Sequence, residues 1–149
     1  MIEQLLDLTN YATNTRVARR KGKGGSQEYF TPYSIVKRMC DKIPDDEWSD
    51  PEKTWLEPCM GDGNIVCYII WNRIQHGIYW ETALKTLRGV ELMYDNVKET
   101  KERVIDLLDK MNINYDKETA MEIMGKNLVC ADFFNWDFEH WKYIDDKKQ

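Results

Sequence analysis

The alternation of short strand-like and helical runs constrains this chain more than any other feature. Residues 54–57, 89–92 and 127–131 read as strands, and between them the apolar side chains recur at helical spacing. Over residues 64–76, Ile65 and Ile69 with Val66 and Ile70 make a helical stripe that Gly77 stops. Residues 81–87 read as a further helix. A long amphipathic helix, capped by Asp95 or Asn96, runs through Val97, Val104, Leu107, Leu108 and Met111. Strand, helix, strand, helix, strand is the pattern of a parallel sheet with crossover helices. Such sheets bind ligands at the carboxyl ends of their strands, and here those ends carry Glu57, Glu91 and Asp132.

Upstream, residues 1–9 read as a short helix through Ile2, Leu5, Leu6 and Leu8, and residues 16–26 as a basic loop. Thr31 suits an N-cap and Pro32 the first helical position, where no amide hydrogen is needed. Ile35, Val36, Met39, Cys40 and Ile43 continue that helix until Pro44, and residues 45–53 are an acidic surface connection. The expected division is an N-terminal helix with a flexible basic arm, residues 1–28, and one α/β domain, residues 29–149.

At 149 residues, with 42% apolar and 32% charged, it is long enough to bury a core. It has neither the run of about 20 apolar residues that spans a bilayer nor a basic, apolar leader, so a cytoplasmic location is expected. Cys40, Cys59, Cys67 and Cys130 stand 19, 8 and 63 residues apart, and the histidines are His76 and His140. Without a paired-cysteine motif, zinc is not expected, and buried free thiols are.

The net charge of −5 conceals an uneven distribution. Arg16, Arg19, Arg20, Lys21 and Lys23 are clustered with no acid among them, while the rest of the chain sets 16 basic residues against 26 acidic ones. The cluster reads either as a solvated linker or as a mobile arm that meets nucleic-acid phosphate.

The loop from Glu57 to Asn64 carries Gly61 and Gly63, which let the backbone turn sharply and approach a ligand. Glu91 can accept from two ribose hydroxyls, Asp132 can accept from an adenine amine, and Phe133 offers a face to the ring. A dinucleotide site would carry a third glycine near the helix start, where this chain has Ile65-Val66. The pattern points to an adenosine without pyrophosphate. The acid at the head of the loop repels phosphate but suits the charged amino-acid part of S-adenosylmethionine.

With these residues the chain resembles the amino-terminal part of adenine-specific DNA methyltransferases whose cofactor motifs precede the catalytic motif, short phage-type relatives especially. Phe30-Thr31-Pro32 resembles the family's first motif, which closes over the methionine carboxylate. Trp55-Leu56-Glu57-Pro58-Cys59-Met60-Gly61-Asp62-Gly63-Asn64 resembles its glycine loop. Gly89-Val90-Glu91-Leu92 resembles the ribose motif, and Cys130-Ala131-Asp132-Phe133-Phe134 the adenine motif. The likeness covers residues 29–136. It implies a class I methyltransferase Rossmann-like sheet and S-adenosylmethionine as cofactor. The implied contacts are Phe30, Thr31, Pro32, Glu57, Pro58, Cys59, Gly61, Asp62, Gly63, Asn64, Glu91, Leu92, Asp132 and Phe133.

One family feature is missing. There a fourth strand leads into (D/N/S)-P-P-(Y/F/W), whose polar groups accept from the target amine while the aromatic ring stacks on the flipped base. The four prolines here lie at 32, 44, 51 and 58, so nothing of that form follows Asp132. Tyr143-Ile144 reads as a degenerate fourth strand, and Asp145-Asp146-Lys147 as solvated tail without a catalytic role. The expected sheet is the 3-2-1 half of a larger one. Its first strand is left with an open edge, to be covered by the N-terminal helix, the Trp-rich tail or another subunit.

Three functions fit. The first is a S-adenosylmethionine-binding protein that methylates DNA adenine only if a protein partner supplies the catalytic half. The second is a non-catalytic regulator or decoy of a modification or restriction system. The third is a nucleic-acid-binding protein with a vestigial cofactor pocket.

Overall fold

A computed structural model describes residues 31–144; the expected N-terminal helix, the basic arm, Phe30 and residues 145–149 lie outside the described residues. Helix α1 (Tyr33–Cys40) is capped by Pro32, whose carbonyl accepts from the N–H groups of Ile35 and Val36. This corrects the placing of Thr31 at the cap and Pro32 inside the helix. The proline ring fixes φ but leaves ψ free, and at ψ 152° Pro32 is the last extended residue. The helix also ends before Ile43.

The acidic stretch after Pro44 is not a plain connection. It forms a one-turn helix α2 (Asp45–Ser49) that drops Trp48 into the core, 2% exposed. Its ring stacks at 4.4 Å on Trp55, and Nε1 donates to the Ile43 carbonyl. Acids in a first helical turn complement the helix dipole. The one large aromatic among them gains most by burial.

Strands β1 (Trp55–Glu57), β2 (Leu87–Glu91) and β3 (Leu128–Cys130) form a parallel sheet in the order β1-β2-β3. Glu57 pairs with Gly89 and Glu91 with Cys130. Helices α3 (Asn64–Gln75) and α4 (Trp80–Lys85) connect β1 to β2; α5 (Tyr94–Lys110) and α6 (Lys117–Asn127) connect β2 to β3. Both crossovers advance in the same direction, so the right-handed rule puts all four helices on one face. Burial follows that division. Leu87 and Leu128 join Val66, Ile70, Leu84, Val104, Leu108 and Met124 in the main core, while Val90 and Val129 turn to the opposite face.

Helix α5 starts at Tyr94 behind Met93, not behind Asp95 or Asn96. Asp95 lies within the first turn, and Asn96 is fully buried there, so neither can be the flanking cap. Helix α6 is an element the periodicity did not suggest; Asp116 caps it by accepting from the Thr119 N–H at 2.8 Å.

The degenerate fourth strand is also corrected. Lys142–Tyr143 (β5) pairs antiparallel with Trp136–Asp137 (β4) as a separate hairpin and does not extend the parallel sheet. Its aromatic residues explain the position. Trp136, Phe138 and Trp141 pack with Val90, Val129 and Ala131, covering part of the face opposite the four crossover helices. Tyr143 donates to the Cys130 carbonyl at 2.7 Å and Trp141 to the Lys126 carbonyl at 2.7 Å, so the hairpin is tied to the β3 side. Among the described residues no strand pairs with the other side of β1.

All four thiols are free. Cys40 and Cys67 are buried, and burial pushes both thiols up to about 11. Cys59 is exposed and Cys130 half-buried, contrary to the expectation for these two, because both lie where the strands end and the helical cover stops. No helix among the described residues is long and apolar enough to cross a membrane, and no cluster of metal-ligating side chains occurs among them.

Candidate functional site at the carboxyl ends of the strands

The register carries Glu57, Glu91 and Asp132 to the same end of the sheet. Glu57 ends β1, Glu91 ends β2, and Asp132 follows β3 by two residues. From Glu57 the chain crosses toward β2: Met60 N–H donates to the Val90 carbonyl at 2.9 Å and Gly61 N–H to Glu91 Oε2 at 2.9 Å. Pro58 is half-buried within this crossing. Gly89 leaves room for the Met60 side chain: an added Cβ would lie 2.7 Å from its sulfur. Gly63, at φ +98°, then turns the chain into α3.

Each acid is engaged differently. Glu57 is half-buried and accepts from the Cys59 N–H at 3.0 Å; burial holds its carboxyl above the usual range. Glu91 accepts once on each oxygen, from Gly61 N–H and from Met93 N–H at 2.9 Å. Asp132 accepts from Phe134 N–H at 3.0 Å and from the Asn135 amide at 3.4 Å, capping the turn Phe133–Asn135. A carboxylate offers about four acceptor positions, so Glu91 and Asp132 each retain two.

Asp62 is the most buried acid, 1% exposed, and burial pushes its carboxyl up to about 6. Its Oδ1 stands 3.4 Å from Arg103 Nη1, and its Oδ2 is buried without a hydrogen-bond partner. Asn64 donates to the Thr31 carbonyl at 2.7 Å, which brings the chain before α1 against the loop. Thr31, Cys59, Met60, Gly61, Asp62, Asn64 and Ile65 enclose a hollow of about 40 Å³. That volume takes a few atoms, such as a charged head group, and not a nucleoside. The strand ends beyond it are open and apolar: Leu92 is 63% exposed, Tyr94 72%, Phe133 42% and Phe134 83%.

Of the residues expected at the site, the fold therefore brings Thr31, the loop and Glu91 into direct contact. Leu92, Asp132 and Phe133 stand on the neighbouring strand ends, and Phe30 and the basic arm lie outside the described residues. Two α5 residues were not foreseen. Thr100, fully buried, donates to the Gly61 carbonyl at 3.2 Å, and Arg103 donates to the Asp62 carbonyl and to Asn64 Oδ1. Their signal was a polar break in an apolar stripe: between Val97 and Val104 the buried face of the helix carries Thr100 instead of an aliphatic residue. No protein-family model, curated protein or solved structure matches the chain.

Proposed function

We propose that this chain is a S-adenosylmethionine-binding protein with a class I methyltransferase Rossmann-like domain, derived from an adenine-specific DNA methyltransferase. The observation that carries the reading is the glycine loop bonded to Glu91 at the carboxyl ends of a 3-2-1 parallel sheet, with Asp132 on the next strand. The two acceptor positions left on Glu91 match the two ribose hydroxyls. Those left on Asp132 suit an adenine amine, with Leu92 and Phe133 as apolar walls for the ring. The hollow beside Thr31 suits the amino-acid head, with Asp62 among the residues that line it. S-adenosylmethionine, when bound, supplies an activated methyl group. No Pro-Pro motif here organises acceptors for the target amine, so transfer to DNA adenine needs them from a partner chain or a further segment, and the side of β1 that no described strand pairs with is where such a strand would add. The basic cluster from Arg16 to Lys23 supplies phosphate contacts in this reading.

A second reading, the non-catalytic regulator or decoy, is favoured by one observation: the only residues read as a fourth strand fold into the β4–β5 hairpin instead. Cofactor binding is common to both readings and is tested by isothermal titration with S-adenosylmethionine and S-adenosylhomocysteine. Glu91→Gln keeps one acceptor oxygen but loses the charge. A hydrogen bond to a charged group contributes about 1.5–3 kcal/mol, so the variant should bind about tenfold or more weakly. Wild-type affinity in Glu91→Gln would remove Glu91 from the site.

A further inference from the structure

The glycine loop and the start of α1 are joined through two side chains. The Arg103 side chain is 12% exposed, and its Nη1 donates to the Asp62 carbonyl at 3.0 Å and to Asn64 Oδ1 at 2.7 Å. A guanidinium has donors only, so it dictates which end of the Asn64 amide faces it: the oxygen. The amide nitrogen is turned the other way, onto the Thr31 carbonyl at 2.7 Å. Asn64 is 8% exposed, so bulk water offers it little alternative. Thr31 lines the 40 Å³ hollow together with Gly61, Asp62, Asn64 and Ile65. The width of the hollow is thus set by a relay that begins on α5.

We propose that Arg103 is a positioning residue: by fixing the orientation of the Asn64 amide it holds the glycine loop and the start of α1 together as one unit around the hollow. Both bonds leave one nitrogen, Nη1, whose two hydrogens are fixed in the guanidinium plane; lysine would keep the charge beside Asp62, but its ammonium on a flexible stem would not hold its donors in that plane. The relay is independent of any ligand. Its consequence for an amino-acid head group rests on the S-adenosylmethionine reading.

Amide hydrogen exchange on the full chain tests the relay. The reporters are Ile35 and Val36, which bond the Pro32 carbonyl, and Met60 and Gly61, which bond Val90 and Glu91. Arg103→Lys should speed exchange about tenfold or more at all four while the β2 amides keep their rates, as expected of local opening. The double variant Arg103→Met with Asp62→Asn, which removes the buried charge together with its partner, should do the same. Asn64→Ala should speed Ile35 and Val36 alone. Wild-type exchange at Ile35 and Val36 in both Arg103 variants would overturn the proposal. So would a rise that includes the β2 amides in both, since Arg103 would then support the whole fold. In a second arm, Arg103→Lys should weaken S-adenosylmethionine about tenfold and leave 5′-methylthioadenosine, which lacks the head group, within about twofold. Equal weakening of both would break the link to the head group. A wild-type chain that binds neither sinks the cofactor reading but leaves the exchange result standing.

Discussion

Gly63→Ala probes the junction on which the site depends. Gly63 has φ +98°, where an L side chain is strained by roughly 1–3 kcal/mol. An added Cβ would also lie 2.8 Å from Thr100 Cγ2 and 2.9 Å from its Oγ1. Thr100 is fully buried on α5 and cannot swing into solvent, so the clash adds an overpacking cost of about 1–3 kcal/mol. Together these predict a loss of about 2–6 kcal/mol. Urea denaturation followed by tryptophan fluorescence measures it. In a Thr100→Ala background the two nearest atoms are gone and only the backbone strain and a tight Cβ contact remain. The cost of Gly63→Ala there should fall by about 1–2 kcal/mol. A cost below about 0.5 kcal/mol in the parent, or an equal cost in both backgrounds, would refute this account of the loop.

Two further outcomes are expected. Asp62 has a folded pKa of about 6 against an ordinary 3.8, so the folded state binds its proton more tightly than the unfolded state. This contribution is fully present below about pH 4 and is lost as pH rises to about 6, a span worth on the order of 3 kcal/mol. The stability of wild type relative to Asp62→Asn, from urea melts between pH 4 and 7, should therefore fall as pH rises; a difference flat with pH would show that Asp62 is not buried as described. Replacing Arg16, Arg19, Arg20, Lys21 and Lys23 by serine should flatten the salt dependence of DNA binding, whose slope is about −0.9 per neutralised phosphate. An unchanged slope in fluorescence anisotropy across a salt series would make the arm a linker.

The parallel sheet was legible because its strands are bounded by strong local signals. The runs at 54–57, 89–92 and 127–131 are found at Trp55–Glu57, Leu87–Glu91 and Leu128–Cys130, in the expected 3-2-1 order. Gly77, with φ +87°, stops α3 as read. Helix α6 was missed because only Ala120, Ile123 and Met124 are buried, too few to make a stripe, while Met121 on the same helix is exposed. Helix α2 was missed because a single tryptophan among acids has no periodicity. The fourth strand was misread because an alternating aromatic segment suits a sheet edge or a hairpin lying on the sheet equally well, and tertiary packing decides between them. At the site, the strand-end acids were visible as chain positions. The buried relay was not, since Thr100 and Arg103 act on the loop from about 40 residues away in sequence.

The central claim is that an adenosyl amino acid lies across these strand ends. Titration of ¹⁵N-labelled protein with S-adenosylhomocysteine, followed by amide chemical shifts, tests it most directly. Saturable shifts should concentrate at Gly61 and Asp62, at Glu91 to Met93, and at Asp132 to Phe134. The amides around Leu56 and Trp141, on the face opposite the crossover helices, should stay in place. No shifts at millimolar ligand, or shifts centred on Leu56 and Trp141, would contradict it.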